Sequence, residues 1–238
     1  MELIRGLHNF KAHHHGCVAT IGNFDGVHLG HQHVLGELAE KAEEMKLPAV
    51  VITFEPQPQE FFIPDRCPGR LTRFREKIKA LRRLAVDRVF TLHFSQKLAA
   101  MEPEDFIQQV LVDGLGVRYL VVGDDFRFGQ KRRGSFEMLQ QAGQEHGFQV
   151  VNMHTFQLAG ERVSSTLIRQ SLKEGDLDHA EILLGRPYRM CGRVAHGHKR
   201  GRQIGFPTAN IHLHRKVSPI EGVFAVEMFG VEGEPVTG

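Results

Sequence analysis

Two histidines three residues apart, His28 and His31, stand inside the string Gly22-Asn23-Phe24-Asp25-Gly26-Val27-His28-Leu29-Gly30-His31. Gly22, Gly26 and Gly30 allow sharp turns and close approach of a ligand to the backbone, and the helical pattern that follows offers unpaired N–H groups and a partial positive charge at its start. That combination is a phosphate site in outline. In a first helical turn, residues three apart face the same side. Both imidazoles then reach one ligand and stabilise charge that develops during phosphoryl transfer. No cysteine or second histidine pair nearby completes a metal site.

Three further strings carry related chemistry. Gly123-Asp124-Asp125-Phe126-Arg127-Phe128-Gly129-Gln130-Lys131-Arg132-Arg133-Gly134 combines four cations suited to phosphate with two aromatic rings suited to a flat ligand. Without a ligand it reads as a basic surface loop. Val163-Ser164-Ser165-Thr166-Leu167-Ile168-Arg169 sets three hydroxyls one turn before an arginine. Any of the hydroxyls serves as a helix cap, and capping alone requires no ligand. The run from Gly192 to Asn210 spaces glycines, among them Gly197 and Gly205, through a basic loop that ends in Thr208 and Asn210, whose neutral oxygens suit a hard cation. Its plain reading is the corner of a β-barrel.

The elements that must position these strings are legible as alternating patterns. Cys17–Ile21, Ala49–Phe54, Arg88–Leu92, Tyr119–Val122 and Phe148–Met153 are short β-branched runs of the kind found in buried strands. Between them, Gln32–Lys46 repeats Val34, Leu38, Ala42 and Met45 at helical spacing, and Leu71–Leu84 and Pro103–Leu115 behave similarly. Strand, helix, strand in this order requires crossovers, hence a mostly parallel sheet covered on both faces, with ligands bound beyond the carboxyl ends of its strands. Two short helices are predicted at Thr166–Lys173 and Asp176–Leu184. Gly185-Arg186-Pro187 then breaks the pattern, and Arg189–Ala195 and Val223–Phe229 read as strands of a separate β-domain. The expected domains are therefore 1–185 and 186–238.

The string Gly22–Gln32 resembles the HxGH signature of nucleotidyltransferases related to class I aminoacyl-tRNA synthetases, in the form found in the bacterial bifunctional riboflavin kinase/FMN adenylyltransferases. The segment 123–129 resembles that family's GxxFxFG, residues 164–169 its SSTxIR, and residues 192–210 its kinase signature ending in GFPTAN. The resemblance implies a Rossmann-like nucleotidyltransferase domain followed by a riboflavin-kinase-like β-barrel. It implies transfer of AMP from ATP to FMN, with His28, His31 and Arg169 as catalytic residues. Gly22, Asn23, Phe24, Asp25, Gly26, Gly30, Asp125, Arg127, Ser164, Ser165 and Thr166 would bind the nucleotide. On the kinase side it implies Gly197, Gly205, Thr208 and Asn210, the last two serving Mg²⁺. In Glu55-Pro56-Gln57-Pro58 the family commonly has histidine where this chain has Gln57, which weakens a flavin-binding role there. A six-stranded kinase barrel needs about twice the residues that follow Gly185. The barrel is therefore expected to be incomplete, without the family's catalytic glutamate, its riboflavin kinase activity doubtful, and the residues after Gly185 mobile or aggregation-prone. The rival readings are another HxGH adenylyltransferase, acting on nicotinamide mononucleotide or phosphopantetheine, and a flavin- or nucleotide-binding module without turnover.

Composition narrows the class without naming the chemistry. With 41% hydrophobic and 24% charged residues, the 238-residue chain has enough apolar content for a packed core, which argues against disorder and coiled coil. A net charge of +2 is too weak to suggest nucleic acid, and the seven basic residues against Glu76 in Arg70–Arg83 read mainly as a solvated helix face. Cys17, Cys67 and Cys191 form no CxxC pair and read as free thiols in a reducing compartment. No run approaches the ~18 apolar residues of a membrane span, and the first residues lack the apolar run of a signal peptide. The expectation is a cytoplasmic protein whose partners are ATP, FMN and riboflavin, with no nucleic acid and no membrane, and with its oligomeric state left open.

Overall fold

Six strands pair into one parallel sheet: β1 (Glu2–Arg5), β2 (Cys17–Ile21), β3 (Ala49–Glu55), β4 (Arg88–His93), β5 (Val117–Gly123) and β6 (Gln149–Met153). The structure is a computed structural model in which residues 1–123, 125–153, 155–195, 205, 208–230 and 233–238 are described. The spatial order is β1-β4-β3-β2-β5-β6. From β2 the chain winds one way to β3 and β4, then returns to place β5 on the other side of β2. The carboxyl ends of β2 and β5 therefore flank the point where the winding reverses, and there the loops diverge to leave a crevice. Gly22–His28 leaves β2 at this crevice, and the segment from Gly123 leaves β5 beside it. The five predicted strands are all present. The short edge strand β1 was not anticipated, because four residues with only Ile4 buried carry almost no periodic signal.

Helices cover both faces. Against one face, Leu35, Leu38 and Ala42 of α1 (Leu29–Met45) pack with Val18, Val51, Val89 and Val121 of the sheet. Against the other, Phe106, Val110 and Leu111 pack with Ala19, Ile52, Phe90 and Leu120, joined by Leu139. After α2 (Pro58–Phe62), the helix expected over Leu71–Leu84 is confined to α3 (Phe74–Leu81). Its predicted first residues are drawn out of the helix because the Asp25 carboxylate takes the backbone N–H groups of Leu71 and Thr72. Following α4 (Gln96–Ala99), the pattern at Pro103–Leu115 resolves into α5 (Pro103–Phe106) and a wider π-helical turn, Ile107–Val112. α6 (Phe136–His146) had not been singled out in the sequence.

A small hairpin, β7 (Gln157–Leu158) with β8 (Glu161–Arg162), leads into α7 (Ser165–Glu174) and α8 (Leu177–Leu184). These two helices form their own apolar cluster around Leu71, Val163, Ile168 and Leu183. Gly185 closes α8 at φ +69°, a left-handed cap that glycine adopts without strain. Beyond it, β9 (Arg193–Ala195) pairs antiparallel with β10 (Asn210–His212), and β11 (Glu227–Met228) with β12 (Val236–Thr237). The strands expected over Arg189–Ala195 and Val223–Phe229 are thus shorter than read. Among the described residues these ladders close no barrel, and Val194, Ile211, Val226 and Phe229 lie exposed.

Two glycines give opposite expectations. Gly36 is exposed within α1 with open space around it, so Gly36→Ala should raise stability by about 0.5–1 kcal/mol through helix propensity. A Cβ on Gly143 of α6 would meet the Phe148 carbonyl oxygen, so Gly143→Ala should lower stability. Urea denaturation of the two variants beside the parent chain checks both signs.

Candidate active site

The loop leaving β2 folds into a tight, mostly buried turn. Gly26 adopts φ +83°, while Phe24 and Val27, both buried, hold φ +49° and +45°, conformations costly for side-chain-bearing residues and kept only by surrounding contacts. His28 then caps α1: its Nδ1 accepts the backbone N–H of His31 at 3.3 Å. The helix therefore starts three residues before the periodicity suggested. The two imidazoles stack 3.6 Å apart at 20°, and the Phe24 ring lies 5.0 Å from His31. Because Nδ1 of neutral His28 is an acceptor, its proton sits on Nε2, which is left as a donor. His28 therefore carries structural weight as well, since it is 6% exposed and holds the helix end.

Asp25, 2% exposed, fastens this turn to two other parts of the chain. Its carboxylate accepts from the backbone N–H groups of Leu71 (3.0 Å) and Thr72 (2.9 Å), from Thr72 Oγ1 (3.2 Å) and from Arg169 Nη2 (2.5 Å). Arg169 also donates from Nε to the Gly69 carbonyl and from Nη1 to that of Ser165. Three of its five N–H donors are thus engaged in the unliganded chain. Ser165 Oγ donates to the Asp25 carbonyl at 2.9 Å, and Ser164 caps α7 through Leu167 N–H at 3.2 Å. A Cβ on Gly30 would lie 3.3 Å from the Val163 carbonyl, so the start of α1 packs directly on the segment leading into α7. The first and third strings therefore form one site.

The remaining sequence candidates fall around it or away from it. Asp125 meets Arg162 at 3.1 Å, which ties the loop after β5 to the strand before Val163. Asn23, Arg127 and Thr166 are exposed, and the Gly22 backbone bonds to β3. Phe128 does not face a ligand: it is 6% exposed in the core against Phe106, with Gly134 packed on its ring. Thr208 is exposed, Asn210 begins β10, and Gly205 turns at φ +82°. Gly197 lies outside the described residues.

The solvated-face reading of Arg70–Arg83 is overturned at two positions. Arg70 bridges both oxygens of Glu55 (2.8 and 3.1 Å) and also bonds Glu60. Lys77 has no exposure at all. A helical wheel centred on Ile78 and Leu81 would have drawn attention to Lys77, which lies on the side of the helix that packs against the sheet. Arg186 was also missed; it donates to the carbonyls of Gly26 (2.5 Å) and Val27 (3.2 Å) and braces the turn from beyond the predicted domain boundary. Among the described residues, one group of metal-capable side chains converges, Glu2, His13 and His14. It lies at the amino ends of the strands, opposite the site. There His14 Nδ1 accepts the Lys11 N–H, which places the ring proton on Nε2 toward Glu2 and closes that nitrogen to a metal.

A family model described as FAD synthetase matches residues 10–167, and one described as riboflavin kinase matches 184–237. The bifunctional riboflavin kinase/FMN adenylyltransferase of Escherichia coli K12 is 50% identical over the whole chain, which spans 76% of that protein. The chain belongs to this family. The Haemophilus influenzae member is 52% identical, with 100% of this chain and 77% of that one covered. A crystal structure from Streptococcus pneumoniae, described as a macrolide-efflux protein, superposes with a TM-score of 0.81 at 29% identity, covering 95% of this chain and 74% of that one.

Electrostatics in the site keep both family histidines neutral. Burial lowers the His28 pKa to about 4, opposed by Asp25 and assisted by Arg186 and Arg169. Burial likewise holds His31 well below its ordinary value, with His28 and Lys77 adding repulsion. In the unfolded chain these rings bind protons near pH 6.5, but in the folded chain only at much lower pH. Between pH 6.5 and 4 the unfolded state binds more protons, so stability is lost as pH falls through that window and is fully present above it. His28 alone should account for about 3 kcal/mol of that loss. Urea denaturation at successive pH values should show the slope, and it should flatten in His28→Gln.

Proposed function

We propose that the turn between β2 and α1, closed by Ser164–Arg169, is where this family member joins AMP to FMN. The observation that carries the reading is the stacked pair of neutral imidazoles at the start of α1, held on the Asp25–Arg169 bracket. ATP, FMN and riboflavin are the substrates of the family to which the chain belongs. An oxygen of the FMN phosphate attacks the α-phosphorus of ATP in line, the bond to the bridging oxygen of the β-phosphate breaks, and pyrophosphate leaves. The attacking phosphate is largely ionised at neutral pH, its second pKa being about 6, so no general base is needed.

The work left to the protein is positioning and charge stabilisation. Neutral His28 presents Nε2–H and His31 a second ring N–H to the oxygens that gain charge. The two N–H groups of Arg169 not engaged internally are available to the polyphosphate. Asp25 acts by placement: its carboxylate is spent on Leu71, Thr72 and Arg169. Asn23, Asp125, Arg127 and Thr166 line the approach to the turn. Mg²⁺ takes oxygen ligands and keeps several waters, binding mainly through substrate phosphates. It would enter with the nucleotide and neutralise charge on the polyphosphate. On the kinase side, exposed Thr208 and Asn210 offer oxygens of the same kind.

Domains at 1–185 and 186–238 fit the left-handed cap at Gly185, with Arg186 and Tyr188 as tethers across the boundary. The riboflavin kinase match at 184–237 favours flavin over the other nucleotides considered for an HxGH site. Incubation with FMN, ATP and Mg²⁺ should yield FAD by chromatography, and no FAD from a folded, ATP-binding sample would support a module without turnover. His28→Ala and His31→Ala should each lower turnover about a hundredfold or more, with His28→Ala also losing about 1 kcal/mol of stability from the cap. Loss of activity in proportion to loss of folded protein would argue for a structural role instead. Riboflavin supplied in place of FMN should give no FMN, because the strands after Gly185 leave their apolar side chains uncovered. Appearance of FMN would place a working kinase site within this chain.

A further inference from the structure

Lys77 is a buried cation that no part of the proposed chemistry has used. It has 0% exposure, and its Nζ has no hydrogen-bond partner among the described residues. An ammonium taken out of water without an acceptor is among the costliest groups a fold can hold. The charged groups that act on it are Asp25 from the β2–α1 segment, Glu55 from β3, Glu60 from α2, and Arg70 from the loop before α3, with titratable but neutral His31 also close. Three carboxylates are thus close enough to attract it, yet none accepts from it. Asp25 is committed to Leu71, Thr72 and Arg169, while Glu55 and Glu60 are committed to Arg70. The fold surrounds Lys77 with compensating charge and leaves the hydrogen-bond acceptor to come from elsewhere.

Among the described residues three other buried side-chain nitrogens also lack partners, His31 Nδ1, Gln57 Nε2 and Arg215 Nε. Gln57 lies beside Glu60, which accepts its backbone N–H at 2.9 Å. Buried polar groups without partners, one of them the Lys77 cation and another on His31, which Lys77 lies close enough to repel, describe a place for an anionic oxygen. We propose that Lys77 is a substrate-binding residue whose ammonium meets the polyphosphate of ATP alongside His31. This rests on the reading that the β2–α1 turn holds ATP. Lys77 is fully enclosed, so contact with the oxygen requires the β2–α1 turn, where His31 stands, to open locally when the nucleotide binds. Burial lowers the Lys77 pKa to about 8, so the group is largely charged at neutral pH and loses its charge in mild alkali.

The test is calorimetric titration of the full chain with inorganic tripolyphosphate and, separately, with adenosine, using wild type, Lys77→Met and Lys77→Arg, with thermal melts of each unliganded sample. Lys77→Met should weaken tripolyphosphate by about tenfold or more, leave adenosine unchanged and leave the unliganded melting temperature equal or higher, and Lys77→Arg should restore anion binding. Equal tripolyphosphate affinity in wild type and a folded Lys77→Met would overturn the assignment of Lys77 while leaving the ATP site in place. If wild type itself binds ATP but not tripolyphosphate, the phosphate-site reading and this inference both fall. Should Lys77→Met not fold, the pH dependence decides. Wild-type affinity for tripolyphosphate should fall more steeply above pH 8 than that of Lys77→Arg, and superimposable profiles would refute the proposal.

Discussion

The Asp25 carboxylate is the constraint on which the site depends. A buried charge must be paired and hydrogen-bonded, and removing one partner of such a pair typically costs about 3–5 kcal/mol. Asp25 meets that requirement with two backbone N–H groups, one hydroxyl and one guanidinium, drawn from segments far apart in the chain. To satisfy one carboxylate, the fold must bring the phosphate turn, the approach to α3 and the start of α7 to the same place. The strained angles at Phe24 and Val27 persist because this turn is held from several sides at once.

The same packing sets the protonation of the histidines. A ring at a solvent-exposed helix end would titrate near neutrality, and half of the molecules would carry an extra charge where two imidazoles stack. Enclosure by Phe24, the α7 segment and neighbouring cations removes that variability, and each ring is held neutral at ordinary pH. Cationic charge around the turn comes from Arg169 and Arg186, while Lys77 is fully enclosed.

The segment after Gly185 is tied to this apparatus. Arg186 braces the turn, Tyr188 donates to the Leu71 carbonyl at 3.2 Å, and Arg215 pairs with Glu76 at 2.8 Å while also bonding Tyr188. The Tyr188 and Arg215 contacts fall on residues 70–76, the stretch that supplies Asp25 with its N–H donors. Polar tethers of this kind join the kinase-like segment to the β2–α1 turn and the approach to α3, whereas its own described apolar side chains stay largely exposed.

Much of the molecule was readable from its residues alone. The β-branched runs announced five of six parallel strands, because buried parallel strands need continuous apolar character. The spacing of His28 and His31 announced that the rings would share a side, though the structure brings them together through a cap at His28 rather than through a shared helical turn. Family membership was likewise legible, since its signature strings run in order along the chain. What the tertiary structure alone decided were the partners. Nothing local shows that Asp25 turns inward to Arg169 or that Phe128 belongs to the core, and the helical wheel that points to Lys77 does not show that it is enclosed without an acceptor. Those outcomes depend on which distant segments the sheet brings together, and pairing, burial and desolvation are properties of that assembly rather than of any short stretch of sequence.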